Sequence, residues 1–170
     1  LLADDAEDKA FVAHCLLLPA DQIVADSLSF FDIDAITAAK QQLRKWLAAA
    51  LKPQLLATYH ALVPTAAYAF TSSDVASRAL RNVCLRYLSY IEPALTEELA
   101  YAQFTQAHCM TDVMAALSVL CHMGRGRKAL DTFYTRWQHE PLVVNKWLSV
   151  QANQEEGDVL TVVRDLTAHA

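Results

Sequence analysis

Glycine is scarce in this chain, three among 170 residues, and proline supplies only five more. So few breaks, with an apolar share of 54% to which alanine contributes heavily, favour helices. A basic excess is also missing. Fourteen Lys and Arg against nineteen Asp and Glu give a net charge of −5, which sets nucleic acid aside as a partner. No apolar run reaches the roughly 18 to 20 residues that would span a bilayer, so no membrane partner is expected. CxxC spacing is absent, and Cys15, Cys84, Cys109 and Cys121 are scattered through apolar helical stretches. Four buried free thiols suit the cytoplasm or another reducing compartment. The opening LLADDAEDKAFVAH has no initiator Met, basic leader or cleavage site, so it reads as part of something longer rather than as a secretory signal.

What is present is helical periodicity. A length of 170 residues predicts one domain with its own core. Short helices are expected over Asp4 to Leu17 and Ala20 to Ser29. A long one follows, capped by Asp32 or Asp34 and running through Leu43, Trp46, Leu47 and Leu55 to Leu62, with a kink at Pro53. After a loop at 63–73, Asp74 to Ile91 is the clearest helix. Ala76, Leu80, Val83, Cys84, Tyr87, Leu88 and Ile91 form its apolar face, and Arg78, Arg81, Asn82 and Arg86 surround Leu85 on the other. Protein is therefore expected on both faces. Further helices follow over Ala94 to Ala107, with a stripe of Leu95, Leu99, Ala102, Phe104 and Ala107, and over Val113 to His122, capped by Thr111 or Asp112. Arg127 to His139, Pro141 to Asn153 and Asp158 to Ala168 complete the series. Eight or nine helices on short connections predict an all-α chain of antiparallel pairs, an irregular α-solenoid or superhelix of the HEAT or armadillo kind. No period near 34 or 40 residues is visible.

Candidate chemistry is thin. His14-Cys15, His108-Cys109 and Cys121-His122 are adjacent pairs, and neighbours on a helix point about 100° apart, so no pair presents two ligands to one metal. Each is expected to be a core Cys beside a His at the rim. His139-Glu140 is followed by Pro141, and HExxH occurs nowhere. Gly124-Arg125-Gly126-Arg127 has an anion-cradle composition but is better explained as a turn between helices. Glu92, Glu97 and Glu98 read as solvated first-turn charges. Arg78, Arg81 and Arg86 are the strongest candidates, three guanidinium groups on one helical side that can line a cavity, bind carboxylates, or pair with neighbouring acids.

Three stretches, SRALRNVCLRYLSYI, AHCMTDVMAALSVL and ALDTFYTRWQHEPLVVNKWLSVQA, together resemble the C-terminal helical region of the bacterial alanyl aminopeptidase family, zinc metallopeptidases of the gluzincin type. LLLPADQIVADSLSFFDIDAITAAKQQLRKWL is similar as well. Cys109 stands where that family usually has Asn, and Pro53 enters a helix that is usually uninterrupted. The resemblance implies that residues 1–170 are a single helical domain, the first half or so of a larger C-terminal superhelix. It implies a role in closing the active site of a peptide-hydrolysing parent, with the catalytic domain of the same polypeptide as partner and peptides as indirect ones. Zinc and the catalytic residues would lie in that missing domain, with no catalytic, cofactor or metal residue in this chain. Arg78, Arg81 and Arg86 would face the cavity or the catalytic domain. A stand-alone scaffold for partner proteins and a small His/Cys metal protein are the competing readings, and self-association through the apolar side of the last helix, Val159, Leu160, Val163 and Leu166, is a further expectation.

Overall fold

The computed structural model describes residues 2, 7–30, 32–154 and 158–168, and among these it is all-α, with nine helices and no strand. The chain forms two compact units, Leu1–Glu92 and Pro93–Ala170.

The first unit holds α1 (Lys9–Cys15), α2 (Asp21–Asp26), α3 (Ile33–Ala61) and α4 (Ser72–Leu88). Asp8 caps α1, its carboxylate accepting from the N–H groups of Ala10 and Phe11 at 2.7 and 3.1 Å. The expected start at Asp4 lies outside the described residues. Asp32 caps α3 in the same way through Asp34 and Ala35, and α3 runs unbroken through Pro53, as one helix rather than two. Its buried series is Ile36, Ala48, Leu55 and Tyr59, while Leu43 and Trp46 are exposed, Trp46 by 66%. Both belong to the apolar run expected along this helix, yet neither is in the core. Ala48 takes that place because its small side chain lets a neighbouring helix come close.

Helix α4 packs against both α1 and α3. Leu80, Cys84, Tyr87 and Leu88 are buried on one side, and Leu85 is wholly buried among the arginines on the other. The expectation of protein on two faces is thereby met. The helix opens earlier than Asp74, because Thr71 and Asp74 form a reciprocal cap. Thr71 Oγ1 accepts from the Asp74 N–H at 3.2 Å and its hydroxyl donates to the Asp74 carboxylate. It ends at Leu88, short of Ile91, with Ser89 as the closing residue.

In the second unit, α5 (Pro93–Gln106), α7 (Arg127–Trp137) and α8 (Pro141–Ala152) all pack on α6 (Met110–His122), and α9 (Val159–Thr167) packs on α8. The stripe expected on α5 is displaced. Its buried positions are Thr96, Ala100 and Gln103, spaced i, i+4, i+7, whereas Ala102 is exposed. Small and polar side chains face α6 because Gln103 Nε2 donates to the Asp112 carbonyl at 3.0 Å, satisfying a buried backbone group that an apolar residue would leave open. Cys109, not Thr111 or Asp112, precedes α6, and Asp112 is buried at 3% exposure. The α6–α7 turn is a Schellman closure: Arg125 N–H donates to Leu120 O at 2.8 Å and Gly124 N–H to Cys121 O at 2.9 Å, with Gly124 at φ +69°. Gly126 serves a different need. A Cβ there would stand 2.5 Å from Cys121 Sγ and 3.0 Å from its Cα.

Candidate functional site

The three arginines of α4 meet tyrosine rings. Arg78 lies over Tyr68, 5.1 Å from the ring centre, and donates to the Ala69 carbonyl at 3.3 Å, tying the 63–71 segment to the helix. Arg81, only 6% exposed, stacks over Tyr59 of α3 at 5.0 Å. Its Nη2 to Tyr59 hydroxyl distance of 3.4 Å is long for a hydrogen bond, so the stacking is the stronger part of this contact. Arg86 donates through Nε to the Tyr90 hydroxyl at 3.1 Å and lies over that ring at 5.6 Å, while Arg44 of α3 approaches the same ring at 5.9 Å. The three therefore share a side of α4 but not an environment. Arg81 is inside the unit, and Arg78 and Arg86 are partly exposed. Tyr87 fastens the opposite side, donating to the Leu16 carbonyl at 2.6 Å.

The cysteines divide differently from expectation. Cys84 and Cys121 are buried, but Cys15 is exposed and Cys109 half-buried. Cys15 closes a seven-residue helix whose buried positions are Val12 and Ala13, so it has turned away from the core. His122 is not at the rim. It is buried beside Cys121, because α6 has neighbours on several sides. Burial pushes the thiols of Cys84 and Cys121 up to about 12, which leaves them protonated and unreactive at neutral pH. Among the described residues, no three His, Cys, Asp or Glu side chains gather as metal ligands. Glu92 and Glu97 are not merely solvated, since they pair with Lys52 and Arg125. The Gly124 to Arg127 stretch is the turn described above.

Periodicity missed a groove of about 600 Å³ between α6 and α8, lined by Met114 and Ser118 on one wall and Leu142, Asn145, Lys146 and Ser149 on the other. Helix α8 is oriented by Trp147, whose indole N–H donates to the Leu130 carbonyl at 3.1 Å and whose ring meets Tyr134 at 4.8 Å. With Trp147 held against α7, residues 142, 145, 146 and 149 line the groove at i, i+3, i+4 and i+7. Among the described residues nothing pairs with the exposed Lys146 ammonium. The signal was available in PLVVNKWLSVQA, where Asn145 and Lys146 interrupt an apolar helix.

The sequence family described as a domain of unknown function (DUF3458_C), ARM repeats, matches residues 1–170. Aminopeptidase N of Escherichia coli K12 is 34% identical over 171 residues, 99% of this chain and 20% of that protein. Aminopeptidase N of Haemophilus influenzae is 34% identical over 160 residues, 91% of this chain and 18% of that protein. Among solved structures, Legionella pneumophila aminopeptidase A in complex with aspartic acid superimposes with a TM-score of 0.85 at 25% identity, over 99% of this chain and 21% of that one. The chain thus spans about a fifth of the length of the curated relatives it matches. No helix among the described residues is long and apolar enough to cross a membrane.

Proposed function

Because the chain belongs to the DUF3458_C family of ARM repeats, we propose that it is the non-catalytic helical segment of a zinc-dependent aminopeptidase, one that encloses the active site and restricts access to peptides. The observation that carries this reading is the end-to-end similarity of residues 1–170 to a fifth of two aminopeptidases N. The chemistry belongs to residues outside this chain. HExxH is absent from it, and no ligand triad forms among the described residues. What this chain contributes is surface. Helices anchored to each other by buried side chains make a stiff wall, and a stiff wall selects substrates by size without touching the scissile bond.

On this reading the arginine side of α4 faces the cavity or the catalytic domain. Arg78 and Arg86 are exposed enough to reach it, and Arg81 supports them from inside. The compartment is a reducing one, supported by four cysteines free of disulfides. The deciding experiment compares hydrolysis of an alanyl arylamide by the 170-residue chain and by the longer polypeptide that carries it. The longer protein hydrolyses it and is silenced by a chelator, and the chain alone does not. Hydrolysis by the chain alone, or none by the longer protein, refutes the assignment.

A further inference from the structure

We propose that the α6–α8 groove binds the C-terminal residue of a peptide, with Lys146 taking the carboxylate. This deepens the aminopeptidase reading by giving peptide substrates a second point of contact on the helical segment. Three observations converge on it. First, a groove of about 600 Å³ is within the range that holds a small ligand. Second, its donors match a carboxylate: an ammonium with no partner among the described residues, beside the Asn145 amide and the Ser118 hydroxyl. Third, Met114 and Leu142 give the groove apolar walls, and Leu142, 80% exposed, lies one helical turn before Lys146. A C-terminal residue carries its carboxylate and side chain on one Cα, and that compact pairing of charge and apolar group fits an apolar and a cationic side chain one turn apart. The Ser149 hydroxyl is engaged within its own helix, donating to the Asn145 carbonyl at 2.8 Å, so it leaves the binding to its neighbours.

The test titrates the 170-residue chain with a five-residue alanine peptide ending in leucine, as the free acid and as the C-terminal amide, followed by NMR. The free acid is expected to shift the Lys146 and Leu142 signals and to bind about three- to tenfold more tightly than the amide, as one exposed charge-assisted contact allows. Lys146→Gln should erase the difference between the two peptides, and Leu142→Ala should weaken both equally. Equal binding of acid and amide, a difference that survives Lys146→Gln, or no shift at millimolar peptide overturns the proposal. In the longer protein, Lys146→Gln should raise KM for the free-acid pentapeptide by a similar factor and leave the alanyl arylamide unchanged, since the arylamide has no C-terminal carboxylate. A wild-type protein that cleaves no arylamide refutes the aminopeptidase reading, while the titration judges the groove independently.

Discussion

Arg81 shows at the scale of one residue how a surface-type side chain becomes structural. A guanidinium is planar and weakly hydrated, so it can lie flat on the Tyr59 ring with little exposure, which an ammonium cannot do equally well. Arg81→Ala should therefore destabilise the first unit by roughly 1 to 3 kcal/mol, through lost stacking and packing. Tyr59→Phe, which keeps the ring and removes the hydroxyl with its long contact to Arg81, should cost less than Arg81→Ala, about 1 kcal/mol. Urea unfolding of both variants separates the ring from the hydroxyl. Equal losses would mean that the hydrogen bond governs. The thiols give a second residue-scale prediction. Cys84 and Cys121 keep their protons in the folded chain up to about pH 12, whereas the unfolded chain releases them from about pH 9. The folded state then binds more protons than the unfolded one, so stability is full below pH 9 and falls as pH rises towards 12. Chemical denaturation across that window should show the decline, and Cys84→Ala with Cys121→Ala should flatten it. Ellman's reagent at pH 8 should label exposed Cys15 first.

At the scale of the element, the two glycines near Arg125 make opposite demands. Gly124 needs conformational freedom, with open space where a Cβ would go, so Gly124→Ala should cost about 1 kcal/mol from the left-handed backbone alone. Gly126 needs room. Its added Cβ meets Cys121 Sγ and backbone, and Gly126→Ala should cost roughly 1 to 3 kcal/mol by forcing α7 away from α6. Cys121→Ala should recover part of the second loss and none of the first, a comparison that thermal unfolding of the double variants reads directly. Thr71→Ala should cost about 1 kcal/mol by removing the α4 cap. These elements also mark what the sequence could tell. The existence of the helices was legible, from scarce glycine and proline and from apolar spacing near 3.6 in helices such as α4, although α5 buries Thr96 and Gln103 in place of an apolar stripe. Their ends were less so: the α4 start depends on two hydrogen bonds exchanged between Thr71 and Asp74, and apolar spacing carries no trace of that. The α5 stripe was misplaced because Thr96 and Gln103 are polar by composition yet buried, Gln103 through its bond to the Asp112 carbonyl. Lys146 was overlooked because, although Asn145 and Lys146 visibly interrupt apolar α8, only the packing on α6 turns that interruption into the wall of a groove.

At the scale of the whole molecule, the helices bury one another incompletely. Leu160 and Val163 of α9 are 71% and 37% exposed, one turn apart on a nine-residue helix that packs along α8. In a repeat architecture each helix pair covers the apolar face of its neighbour, so an uncovered face is an adhesive one when no neighbour is supplied. The 170-residue chain should therefore self-associate. Light scattering should give a mass above 18.9 kDa that grows with concentration, and Leu160→Glu should return it to the monomer while leaving the helical signal intact. Trp46, 66% exposed on α3, offers a competing contact. If Trp46→Gln rather than Leu160→Glu restores the monomer, the adhesive surface belongs to the first unit, and a clean monomer in the unsubstituted chain removes both. The α9 outcome is expected because Arg164 and Asp165 flank an otherwise apolar face, whereas Trp46 lies between Lys45 and Leu47 on a helix that already buries its other side against α4. A short terminal helix that exposes its leucine gains most by finding a second copy.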